Sequence, residues 1–134
     1  MEGSTREEVV LRYRNGNLTR GVLTREFTPL DFAVEAESED GEKLQINISD
    51  LKAVFFLKGP GKRAAEMQIG SVVGDHPQGA PARVEFFDGE IIHGVVQEYR
   101  MENSGFFLYP TSPESNNEKV FVVARSINTL TLEG

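Results

Sequence analysis

Two histidines, His76 and His93, are the only side chains in this chain whose ordinary pKa lies near neutrality. Catalysis by nucleophile and base would have to use one of them. His76 stands in a Gly/Pro-rich stretch, "VVGDHPQGAP" (72–81), and His93 lies on an alternating strand where it is expected opposite Val84. No HxH or HExxH spacing ties either to a second ligand, so both read as ordinary surface or boundary histidines. The chain has no cysteine, which removes thiolate catalysis, disulfides and cysteine-built zinc sites together. Carboxylates crowd one stretch, Glu35, Glu37, Glu39, Asp40 and Glu42, without a D-x-D-x-D-G calcium loop; alternation from Phe32 to Glu37 makes them the solvated face of a strand. "KGPGKR" (58–63) has glycines and a lysine, but neither the spacing nor the following helix of a phosphate-binding loop. No catalytic residue, metal or cofactor is expected, and the chain reads as a non-enzyme.

Charge bounds the partners. The net charge is −7, which opposes a general attraction to nucleic-acid phosphates or anionic membranes. The one basic cluster, Lys58, Lys62 and Arg63, is the candidate for the alternative reading, an anion site for single-stranded RNA or a small nucleotide. Arg12, Arg14, Arg20 and Arg25 also gather on one hairpin, yet Arg12 and Arg14 alternate with Tyr13 and form the outer face of a strand. No apolar run approaches the roughly 18 residues that a membrane crossing needs. The acidic, polar start "MEGSTREEVV" is no secretory signal, and a cytoplasmic protein is expected. The sequons at Asn17 and Asn47 are then chance matches.

The elements that carry these residues are written twice. Sliding the chain by 73 positions lays Leu11 on Val84, Tyr13 on Phe86, Asn15-Gly16 on Asp88-Gly89 and Gly21-Val22 on Gly94-Val95. With small length differences, Phe27 falls on Tyr99, Phe32 on Phe106 and Val34 on Leu108. Leu44 and Ile46 fall on Val120 and Val122, and Leu51 and Val54 on Ile127 and Leu130. Each unit reads as five strands. The first two are expected to be joined by a two-residue type I′ turn at Asn15-Gly16 or Asp88-Gly89, with Tyr13 facing Leu18 and Phe86 facing Ile91 on the inner side. Gly21 and Gly94 mark a bend within a long second strand (17–27 and 90–100). The third strands are 32–37 and 105–109, the fourth 43–48 and 119–124. The polar steps "SDL" and "RSI" suit a single 3₁₀ turn before the fifth strands, 52–57 and 128–132. Closing each unit into a small barrel would remove its exposed edges.

The (N/D)-G-x-x-x-x-G-V step, followed by an aromatic and a short strand, resembles the first motif of Sm-like and related SH3-like small barrels. The chain also resembles, over nearly its whole length, a family of small bacterial domains of unknown function, through "DLKAVFF" (50–56) and "GFFLYP…SNNEKVFVV" (105–123). The resemblance implies an all-β fold of two tandem five-stranded SH3/Sm-like small barrels from an internal duplication. It implies no activity. RNA-holding Sm-like barrels carry an Asp and an Asn near the loop between strands two and three and a basic step between strands four and five. Asp31 and Asn103 echo the first loosely and Arg125 is a lone cation for the second, so nucleic acid is not the expected partner.

The expected organisation is thus a first barrel at 1–57, a Gly/Pro-rich connector at 58–81 with room for a short helix at 62–68, and a second barrel at 82–134. Met67, Ile69, Val72 and Val73 favour a docked connector. Function is expected to be a protein–protein interaction or regulatory module. Its partner-binding surface is assigned to the strand "GFFLYP" and the loop after it, through Phe107, Tyr109, Pro110, Asn116 and Asn117, because alternation hides only some of those aromatics.

Overall fold

The computed structural model describes residues 7–57, 79–96, 103–111 and 117–132. The connector residues 58–78, with Lys58, Lys62, Arg63 and the helix expected at 62–68, and also Tyr99 and Asn116, lie outside that set. The described chain is all-β. The first half holds β1 (Glu8–Tyr13), β2 (Leu18–Leu23), β3 (Ala33–Ser38), β4 (Lys43–Asn47) and β5 (Leu51–Leu57). The second half holds β6 (Ala80–Phe86), β7 (Ile91–Val96), β8 (Gly105–Pro110), β9 (Asn117–Val123) and β10 (Ile127–Leu132). The polar steps are 3₁₀ turns, Ile48–Asp50 and Ala124–Ser126, as the sequence predicts.

The strands form one antiparallel ten-stranded sheet in the order β10-β6-β7-β8-β9-β5-β1-β2-β3-β4. Two closed barrels would need ladders joining β4 to β5 and β9 to β10, and no such ladder occurs among the described residues. The halves instead meet edge to edge, with Ala53 opposite Val122 and Val54 opposite Phe121 in the β5–β9 ladder.

The seam explains two runs that do not alternate. An edge strand covered on one face reads apolar-polar; a strand covered on both faces reads as continuous apolar sequence. β5 is "LKAVFFL", buried at all but its last residue, and β9 ends in "VFVV", buried throughout. Val54 and Phe56 of β5 join Phe121 and Val123 of β9 in the core of the first half. Ala53 and Phe55 join Val120 and Val122 in the core of the second half, against Ala82, Val84 and Phe86 of β6. Because β5 and β6 are not neighbours in the sheet yet share a core, the sheet curls over itself at the second half.

Two expectations about register are corrected. The hairpin turns have three residues, not two: Tyr13 N–H donates to Asn17 O (2.8 Å) and Phe86 N–H to Glu90 O (2.9 Å). Only the glycine is left-handed, at φ +96° for Gly16 and +95° for Gly89, so neither turn is type I′. The Asn15 and Asp88 side chains complete the turn by accepting the N–H of Asn17 and Glu90 at 2.9 and 3.0 Å. One added residue reverses the face of everything after it. Arg12 therefore stands opposite Leu18 and Glu85 opposite Ile91, and Leu18 and Ile91 point outward, exposed. For the same reason His93 pairs with Arg83, while Val84 pairs with Ile92.

The third strand is displaced by two residues from the sequence superposition. Val34 stands opposite Ile46 as Phe106 stands opposite Val122, and Ile48 N–H bonds Phe32 O as Ala124 N–H bonds Ser104 O. Val34 thus occupies the place of Phe106, and Phe32 that of Ser104. Phe32 is 84% exposed where Phe106 is fully buried. A slip of two keeps inside and outside in phase, so alternation alone is blind to it.

Glycines set where the second strands cross between neighbours. Gly21 pairs with Val9 and Ser38, and Gly94 with Ala82 and Pro110. A Cβ on Gly21 would sit 2.7 Å from Glu37 O, and one on Gly94 would strike Leu108 and lie 2.6 Å from Tyr109 O. Close backbone approach, not a left-handed turn, demands glycine there. The second strand of the first half ends at Leu23, shorter than expected, and its counterpart is described as far as Val96.

Candidate functional site

The site is best built from the contact the chain makes with itself. Between Arg12 and Tyr13 the β1–β5 ladder shifts register, skipping Lys52; the β6–β10 ladder skips Asn128 at the same place. A bulge of this kind re-aims the skipped side chain. Lys52 crosses the seam into the second half, where its Nζ lies 4.6 Å from the centre of the Phe86 ring. The ammonium donates to Asp88 Oδ2 at 2.6 Å and to Glu90 Oε1. Ser126 Oγ donates to Lys52 O at 2.8 Å, holding the bulge from the other side. The Asp88 carboxyl is held below its usual range by the Lys52 hydrogen bond and then by the Glu90 N–H. A buried lysine is thus met by an aromatic floor, two carboxylates and a serine, all from the other half.

The first half carries the same socket with other contents. Tyr13 takes the place of Phe86, Asn15 and Asn17 those of Asp88 and Glu90, and Asp50 that of Ser126, because turn, strand and 3₁₀ bonds repeat residue for residue. Here Tyr13, Asn15, Ile46, Asn47 and Asp50 line an open groove of about 650 Å³ along β4. No strand pairs with the outer side of β4 or of β10 among the described residues. The burial differs accordingly. Phe86 and Val122 are 1% and 0% exposed beneath β5, whereas Tyr13 and Ile46 are half-buried. The opposite edge has the mirror defect: Leu51 and Val54 are fully buried beneath β9, but Ile127 and Leu130 only partly. Each core lacks the cover that the seam supplies to the other.

The residues assigned to a partner surface from sequence are divided. Phe107 is half-buried and spent on the seam, edge-on to Phe27, Phe56 and Phe121 with centroids 6.4, 5.8 and 5.3 Å away. The Lys119 ammonium caps it and Phe56 at 4.6 and 4.9 Å. Tyr109 and Pro110 are half-buried at the end of β8, and burial together with the Glu118 charge raises the Tyr109 hydroxyl above its ordinary pKa. Asn117 stands opposite Leu57 in the seam ladder. His93 is exposed, and the described residues contain no group of three His, Asp or Glu able to hold a metal. The described residues contain no helix long and apolar enough to cross a membrane. Sequence reasoning missed the Tyr13–Asp50 groove. The signal was present in the unequal partners of the repeat, Lys52 against Asn128 and Phe121 against Gln45.

Fold and site together define an all-β protein whose two halves join edge to edge through the β5–β9 ladder, with no strand paired to the outer side of β4 or β10 among the described residues. The chain belongs to the family described as "Family of unknown function (DUF6982)", whose model matches residues 5–134. No curated protein and no solved structure matches it.

Proposed function

We propose that this protein is a non-enzymatic interaction module built from two tandem small barrels, and that it accepts an extended segment of polypeptide along β4. One observation carries the reading: the groove at Tyr13, Ile46 and Asp50 repeats the socket in which the second half holds β5, yet it stands open and leaves Tyr13 and Ile46 half-buried at the margin of the first core. Strand addition suits such an edge, since backbone hydrogen bonds supply affinity and the socket selects side chains. The small-barrel element is supported by two separate cores, one per half, each shared by strands distant in the sheet order. The non-enzymatic element is supported by the use of Lys52, the one buried charged side chain among the described residues, as a clamp on Asp88 and Glu90. A photo-crosslinking residue placed at Gln45, on the exposed row of β4, tests it in the native cell. The expected result is a covalent adduct to a polypeptide from position 45 and none from a control at His93. Absence of an adduct at 45, or equal labelling at both, overturns the assignment.

A further inference from the structure

We infer that the segment received by β4 is β10 of a second copy of this chain, so that the internal seam is repeated between molecules; this rests on the strand-accepting reading above. The two edges that stand unpaired among the described residues are complementary by descent. β4 is the counterpart of β9, and β10 is the counterpart of β5, which pair inside each chain. The deficits match as well: β4 needs what a β5-like strand supplies to Ile46 and Tyr13, and β10 needs what a β9-like strand supplies to Leu130 and Leu132. Leu132 is 61% exposed where its counterpart Phe56, covered by β9, is 2% exposed. One contact between copies covers both.

Charge agrees with this pairing. Inside the chain a lysine meets two carboxylates; between copies Asn128 would meet Asn15 and Asn17, so the lysine and both of its carboxylates are replaced by amides together. Edge strands that must stay single are guarded by charge or proline. The row Asn128, Thr129, Leu130, Thr131 and Leu132 has neither. Transferring the seam register, in which Ala53 faces Val122 and Phe56 faces Lys119, places Thr129 opposite Ile46 and Leu132 opposite Lys43. The contact is head-to-tail, so copies close as a ring or continue as a filament. Its smaller, more polar strands make it the weaker of the two seams.

The test uses the purified full chain, which has no native cysteine to interfere. Light scattering over a concentration series is expected to show species heavier than a dimer. Lys43→Cys and Leu132→Cys, both at exposed positions, are mixed and oxidised; they should give a disulfide between copies, whereas Lys43→Cys with His93→Cys should not. Leu132→Lys, which sets like charges opposite each other, should weaken association roughly two- to fivefold, and adding Lys43→Glu should restore it. A monomer at every concentration, or association in which the Lys43→Cys and Leu132→Cys pair fails to form a disulfide, overturns the second copy as occupant. If Gln45 nonetheless crosslinks to a different polypeptide, the strand-accepting reading stands and only its occupant is wrong; if Gln45 labels nothing, both fall.

Discussion

Lys52 Nζ of the first half lies 2.6 Å from Asp88 Oδ2 of the second, with its side chain buried while that of Asp88 is half in solvent. The asymmetry matters more than the distance. Removing the lysine leaves carboxylates that water can reach, whereas removing the carboxylates strands a cation in the core.

The Asp88→Asn/Glu90→Gln double variant should therefore cost more than Lys52→Met. Methionine keeps the contact with the Phe86 ring, and its loss should be about 1–2 kcal/mol, against about 3 kcal/mol for the double variant. Urea denaturation of the two proteins checks the order. A Lys52→Met protein less stable than the double variant would remove the clamp from the account.

Acid should loosen the same seam. The folded-state pKa of Asp88 is lowered, so its contribution is fully present above the unfolded value near 3.8 and is lost as pH falls through the folded value. The urea midpoint should fall below about pH 4, and more steeply in the parent than in Lys52→Met, in which Asp88 has lost its principal partner. Parallel pH profiles would contradict this.

Phe32→Ser and Phe106→Ser should separate by several kcal/mol despite the similarity of their surroundings in sequence. Phe32 is exposed and its loss should change stability by less than about 0.5 kcal/mol. Phe106 fills the second core, and its replacement should cost at least about 3 kcal/mol. Thermal unfolding of both proteins decides the register of the third strand.

Phe107→Ala should destabilise the protein by about 2–3 kcal/mol, because Phe107 packs against Phe56 and Phe121 of the seam and against Phe27. A neutral result in denaturant would return Phe107 to the surface, as alternation alone suggested.

Gly94→Ala should be worse than Gly16→Ala. A Cβ at 94 meets Leu108 and the Tyr109 carbonyl, whereas one at 16 meets open space and suffers only from its φ of +96°. The expected losses are about 2–3 kcal/mol and about 1 kcal/mol. Comparable melting temperatures would argue against close approach as the reason for glycine at 94.

Much of this was legible in one dimension. The pairs Asn15-Gly16 and Asp88-Gly89, the glycines at 21 and 94 and the apolar alternation are local signals, and they placed ten strands close to where they lie. The two errors differ in kind: one extra turn residue reverses which face each side chain takes while leaving the alternation within the strand intact, and a slip of two leaves even the faces in phase, so hydrogen bonds such as Tyr13 to Asn17 and Ile48 to Phe32 are what discriminate. The closure of each unit was inferred from the need to remove edges, but a second copy of the unit removes an edge equally well.

By itself the sequence determined the type of each element and their repetition, because propensity and turn chemistry act over a few residues. Which edges meet was decided only in three dimensions. The runs "LKAVFFL" and "VFVV" announce strands covered on both faces without saying by what. Only the folded chain shows that they cover each other, leaving β4 and β10 unpaired among the described residues, because contact between residues some seventy positions apart is a property of shape and not of local order.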